Sequence, residues 1–226
     1  MNDRRMNVLI LCLIVFTFGL RWLGNLTTDQ WSVAAGLMAL CGYIVYWVDL
    51  VADKKYTPNS SWIVWVILDW TSAIGMYTRN ELNGVVLIYT VCATMTTIFL
   101  VIRDGFSKWS QTDKVCTVIS LVGIALWIVC DYVLSWKGWG PVVGVVLAQL
   151  SGLIGSWPML RYCWNEPTVE NRYAWCIWAF CCFAGLFAVS TWGFDLENVV
   201  RWPAPVTFTI IETTIVIVLY IRLRRT

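Results

Sequence analysis

The chain has 226 residues, 59% hydrophobic and only 13% charged, with a net charge of +2 that points to no nucleic-acid partner. A charged share about half that of an ordinary soluble domain cannot clothe a water-exposed surface, so lipid must solvate most of the chain. Histidine is absent altogether, which removes the commonest general base and metal ligand, excludes Ser-His and Cys-His catalysis, and leaves no metal or cofactor site to expect.

A span needs roughly 20 mostly apolar residues. In chain order the windows 6–24, 31–52, 61–78, 83–103, 114–135, 141–163, 174–192 and 204–222 supply about that, predicting an all-α integral membrane protein of about eight transmembrane helices. The first has a basic start, Arg4 and Arg5, but no small-residue cleavage site after it, and reads as an uncleaved helix. The third carries Trp65, Asp69 and Trp70 at depth, and the fourth Thr94, Thr96 and Thr97. The sixth brings Gly140 and Gly144 as a small-residue face, then Gln149, Gly152, Gly155 and Pro158. The seventh holds Trp178 and the eighth Glu212. The connections are too short for a soluble domain, so function falls to the bundle itself.

Of the 16 Lys and Arg, all but Arg21, Arg79, Lys137 and Arg201 flank the N-terminus, the even-numbered loops or the C-terminus. By the positive-inside rule both ends face the cytoplasm, as in a bacterial cytoplasmic-membrane protein. The nine cysteines sit almost entirely within spans and read as packing residues, with Cys181 and Cys182 on different helix faces.

The second half repeats the spacing of the first about 110 residues on, giving halves 1–110 and 111–226 of four spans each in one orientation. Their second connections match: Gly42 to Trp65 runs GYIVYWVDLVADKKYTPNSSWIVW and Gly152 to Trp178 runs GLIGSWPMLRYCWNEPTVENRYAWCIW. Asp49 and Pro158 each stand nine residues before a proline, Pro58 and Pro167, and each segment closes on Trp-x-x-Trp. In parallel-repeat transporters the substrate site tends to lie between the halves. Gly152, Pro158, Leu160, Pro167, Glu170 and Trp175 resemble the PQ-loop signature of the SWEET and related small-transporter superfamily. Gly42, Tyr43, Tyr46, Pro58, Ser61, Trp62 and Trp65 resemble more closely a group of uncharacterised bacterial membrane proteins with G-Y-x-x-Y and P-x-x-x-S-W-x-x-W. Met159 stands where the signature has glutamine, and Asp49 replaces the first-half proline. The resemblance implies three-helix repeats, spans 2–4 and 6–8, with spans 1 and 5 as extra helices.

Charges at membrane depth are costly and usually face a cavity or a partner. If Asp69 and Glu212 met across the repeats they would share a site that could couple protons or attract a cation; the alternative is a protonated carboxyl bonded to a neighbouring backbone carbonyl or to a hydroxyl such as that of Thr71, Thr209 or Thr213. Gln149 could read a polar substrate or bond a neighbouring helix. Of 16 tryptophans, Trp22, Trp31, Trp47, Trp62, Trp136, Trp139, Trp164, Trp192 and Trp202 read as a membrane belt. Trp65, Trp70, Trp127 and Trp178 lie deeper, as pocket walls or as packing. Pro158 removes a helical hydrogen bond and marks a hinge or a static bend. The expected function is a small-solute transporter or facilitator, uncoupled or coupled to a proton or cation. Its site lies between the repeats at Trp65, Asp69, Gln149, Trp178 and Glu212; its partners are a small solute and the lipid bilayer, and a homo-oligomer is compatible with it. The rival is a non-transport module: a sensor, channel-like effector or assembly subunit. An intramembrane enzyme is set aside for want of a nucleophile and base, and a retinal protein because the last two spans hold no lysine.

Overall fold

Helix ends leave backbone N–H and C=O groups without intrahelical partners, and this chain supplies side chains for several of them. A computed structural model describes residues 27–52, 58–77, 84–105, 109–129, 140–168, 170–189 and 203–223. These form seven helices and, among the described residues, no strand: α1 Thr28–Ala52, α2 Asn59–Tyr77, α3 Gly84–Asp104, α4 Gln111–Ile128, α5 Gly140–Asn165, α6 Arg172–Leu186 and α7 Pro203–Leu223. Thr27 and Gln30 form a reciprocal capping pair at the start of α1, at 3.3 and 3.0 Å. Ser110 and Asp113 do the same for α4, at 3.2 and 2.6 Å. Asn171 caps α6 by accepting from the N–H groups of Tyr173 and Ala174, while its amide donates to Val45 O and Asp49 Oδ2 of α1. Gly105, at φ +61°, closes α3 in the left-handed region that suits glycine, and its carbonyl accepts from Asn59 Nδ2 at 2.7 Å.

These ties fix the directions. The ends of α1, α3, α5 and α7 gather with the starts of α2, α4 and α6 at one end of the bundle, which also carries Arg103, Lys114, Arg161, Arg172 and Arg222; we call it the basic end. Six helices close a ring in the order α1, α3, α2, α5, α7, α6 and back to α1, while α4 lies outside it against α5 and α2. The third helix of each run of three therefore stands between the other two. Small residues set the close approaches: a Cβ on Gly36 would stand 3.0 Å from the Gly84 carbonyl between α1 and α3, and one on Gly152 would stand 3.3 Å from Leu68 between α5 and α2. Ser120 Oγ of α4 donates to Ser151 O of α5 at 2.9 Å.

The outward surface is aliphatic. Val33, Leu37, Ile44, Val48 and Val51 of α1, Leu87, Val91, Met95 and Ile102 of α3, and Val115, Val118 and Val122 of α4 are exposed, whereas the buried interior is rich in indoles, phenols and hydroxyls. Aliphatic side chains exposed in such number along α1, α3 and α4 suit lipid better than water. Among the described residues three helices, Thr28–Ala52, Gly84–Asp104 and Pro205–Leu223, are long and apolar enough to cross a membrane. The expected count of eight is thereby corrected. Window 6–24 lies outside the described residues. Among the others, α6 has only 15 residues and α2 is diluted by Asn59, Ser60, Ser61 and Asp69.

Candidate functional site

Residues three apart on a helix share a face, so α2 turns both Trp62 and Trp65 into the ring, and α6 turns Trp175 and Trp178 to meet them. The Trp175 and Trp178 ring centroids lie 5.0 Å apart, Trp62 and Trp65 5.4 Å, Trp65 and Trp175 6.0 Å, and Trp62 and Trp178 6.0 Å, all close to edge-on. Tyr43 of α1 packs on Trp178 at 4.8 Å and on Tyr89 of α3 at 5.6 Å, and Tyr89 reaches Phe208 of α7 at 5.9 Å. Tilted pairs of this kind add about 0.5–1.5 kcal/mol each beyond the area they bury. The approach of α6 to α1 depends on Gly42, where a Cβ would stand 2.5 Å from Trp178 Nε1. Three indole N–H groups are fixed: Trp65 donates to Ser156 Oγ at 2.9 Å, Trp175 to Glu170 Oε2 at 2.9 Å and Trp178 to Ala39 O at 3.3 Å. The buried Trp62 N–H has no partner.

Two carboxylates complete the box. Asp69, midway along α2, is 3% exposed, and Glu212, midway along α7, is 5% exposed. Asp69 Oδ2 and Glu212 Oε2 are buried without a hydrogen-bond partner. The hydroxyls expected to satisfy them do not: Thr209 donates to Pro205 O of its own helix at 2.7 Å, and Thr213 is exposed. The side chain of Thr71 lies outside the described residues. No Lys or Arg is buried among the described residues, and no group of three or more His, Cys, Asp or Glu among them could hold a metal.

Two small cavities adjoin at Asp69, Tyr89 and Phe208. One, of about 10 Å³, is walled by the four indoles with Tyr43, Ala93, Ile211 and Glu212. The other, of about 30 Å³, is walled by Val85, Val86, Cys182, Gly185 and Pro205, all from the third of the bundle remote from the basic end. On the basic side Met159, Cys163 and Leu219 are packed shut, each at most 1% exposed.

The walls recur at fixed offsets along the chain. Trp62 and Trp65 correspond to Trp175 and Trp178, each 113 residues on, and in that register Asp69 meets Cys182. Tyr89 corresponds to Phe208, 119 residues on, and in that register Ala93 meets Glu212. The ring interior is thus lined by like pairs, and the two carboxylates are where the pairing breaks.

Of the expected site residues, Trp65, Asp69, Trp178 and Glu212 converge on the first cavity. Gln149 is half-buried on α5 and lines neither. Pro158 lies within α5 without ending it, and the next N–H, that of Met159, donates to Ser61 Oγ of α2 at 3.2 Å. Trp62, assigned to the membrane belt, is instead 2% exposed in the box, and Trp31 is equally buried against Phe187. Trp70, placed among the deep indoles, is 48% exposed and bonded to Thr94. Cys181 and Cys182 do not diverge, since both sulfurs lie near the Tyr89 hydroxyl, at 3.9 and 3.3 Å. Tyr43, Tyr89, Trp175 and Phe208 were not anticipated as walls, although the Trp-x-x-Trp recurrence marked the register that contains them. Trp127, Asp131, Gly140 and Gly144 fall on undescribed side chains or residues. Comparison with protein-family models, with curated proteins and with solved structures finds no match for this chain.

Proposed function

We propose that this protein is a small-solute membrane transporter or facilitator. Its site is the aromatic box between the two three-helix groups, with Trp65, Asp69, Trp178 and Glu212 in contact with the solute. The observation that carries the reading is the pair of mid-helix carboxylates, each with an unpartnered buried oxygen facing a cavity. Burying a charged or polar group without a partner costs several kcal/mol, and a bundle gains nothing structural from doing so twice. The ring order supports the same reading, because the α2 to α5 and α1 to α6 seams run between the two three-helix groups, and parallel-repeat transporters tend to hold their substrate between such groups. A matching device at the basic end adds to it. Arg103, ending α3, donates to Leu50 O at the end of α1, and Arg222, ending α7, donates to Trp164 O at the end of α5.

In this reading the chain lies in a bacterial cytoplasmic membrane with its basic end in the cytoplasm. The aliphatic exterior faces lipid, and the second cavity is the approach from outside. The test is a thermal-shift and tryptophan-fluorescence screen of the purified chain against sugars, nucleosides, vitamins and organic cations, followed by uptake of any binder into proteoliposomes. A binder that raises Tm, is taken up, and loses both effects in Glu212→Gln is the expected result. No binder in any class, with Glu212→Gln as stable as the parent, would overturn the proposal in favour of a non-transport module.

A further inference from the structure

We infer, resting on the transporter reading above, that the solute is an organic cation with a small ammonium head, held between Asp69 and Glu212 over the faces of the box. Hydrogen-bond supply decides among solute classes. Three of the four indole N–H groups that wall the box are committed elsewhere, leaving the Trp62 N–H as the one free indole donor, while each carboxylate offers an unpartnered acceptor. An anion would meet, besides the Trp62 N–H and the Tyr43 and Tyr89 hydroxyls, two carboxyl groups with unpartnered oxygens. A sugar needs donors and acceptors in comparable number and finds few donors. A cation needs neither, and no buried Lys or Arg among the described residues competes for the carboxylates.

The walls favour an organic cation over a hard metal ion. Ions such as Ca²⁺ and Mg²⁺ take about six or more oxygen ligands, whereas around the first cavity side-chain oxygen comes from two carboxylates and two phenols and the other walls are indole, phenyl and aliphatic. Ring faces attract alkylammonium groups through their quadrupoles. The apolar route past Val85, Val86 and Pro205 suits an alkylated cation better than a strongly hydrated one.

The experiment titrates the purified full chain with tetramethylammonium, choline and the uncharged choline isostere 3,3-dimethylbutan-1-ol, following tryptophan emission, and repeats it on Asp69→Asn and Glu212→Gln. The cations should bind at least about tenfold tighter than the isostere, a gap worth about 1.4 kcal/mol, and either amide should narrow it. The comparison within the unaltered chain stands even if a variant fails to fold. Equal affinity for choline and its isostere overturns the cation inference. Binding and proteoliposome uptake of a hexose or nucleoside without any cation also overturns it but leaves the transporter reading standing. Silence from every solute removes both.

Discussion

At the residue scale the box rests on a hydrogen atom. Gly42 is where α1 lets the Trp178 indole lie against its backbone, so Gly42→Ala drives a methyl group into the ring. We expect it to cost about 1–3 kcal/mol, read as a lower Tm and weakened near-ultraviolet dichroism of the indoles; unchanged values of both would show that the box has slack. Asp69, Trp65, Trp178 and Glu212 were legible in the sequence, because a carboxylate or indole in mid-span stands out against an apolar background. Tyr43, Tyr89 and Phe208 were not. In a helix with lipid on one side and protein on the other, both faces are apolar, so periodicity does not say which one turns inward. Trp62 misled for a different reason: its position four residues after Pro58 is also where an interfacial belt would stand.

At the element scale α5 shows how a proline can sit within a helix without ending it. Pro158 gives up its own hydrogen bond, and the following N–H is tied to Ser61 on the neighbouring helix of the other group. If α5 bends there during transport, Pro158→Ala should slow proteoliposome uptake while leaving the equilibrium affinity for the solute within about twofold. Equal uptake rates in the two proteins would mark the bend as static. The described helices overlap the apolar windows read from the sequence. The span count was overread, since α6 is short and the window containing Asn59 and Asp69 looks membrane-long by length yet is diluted by polar side chains. Those side chains face other helices, a distinction that exists only once the ring is formed.

At the scale of the whole molecule, aliphatic side chains outside and aromatic and polar ones inside define the solvent. Membranes of cells expressing the protein should retain it in the pellet after alkaline carbonate extraction, and the purified chain should aggregate when detergent is withdrawn; soluble, monodisperse protein without detergent would contradict that. The ring has two seams between its three-helix groups. Along α2 and α5 the seam is overlaid by α4, which bonds to both through Ser120 to Ser151 and Ser60 to Asp113. Along α1 and α6 no described helix overlies the join. Across that join Trp178 and Asn171 are the clasps on α1, donating to Ala39 O and to Val45 O and Asp49 Oδ2, so the seam between the three-helix groups is latched by side chains of α6 and its N-cap alone at these points.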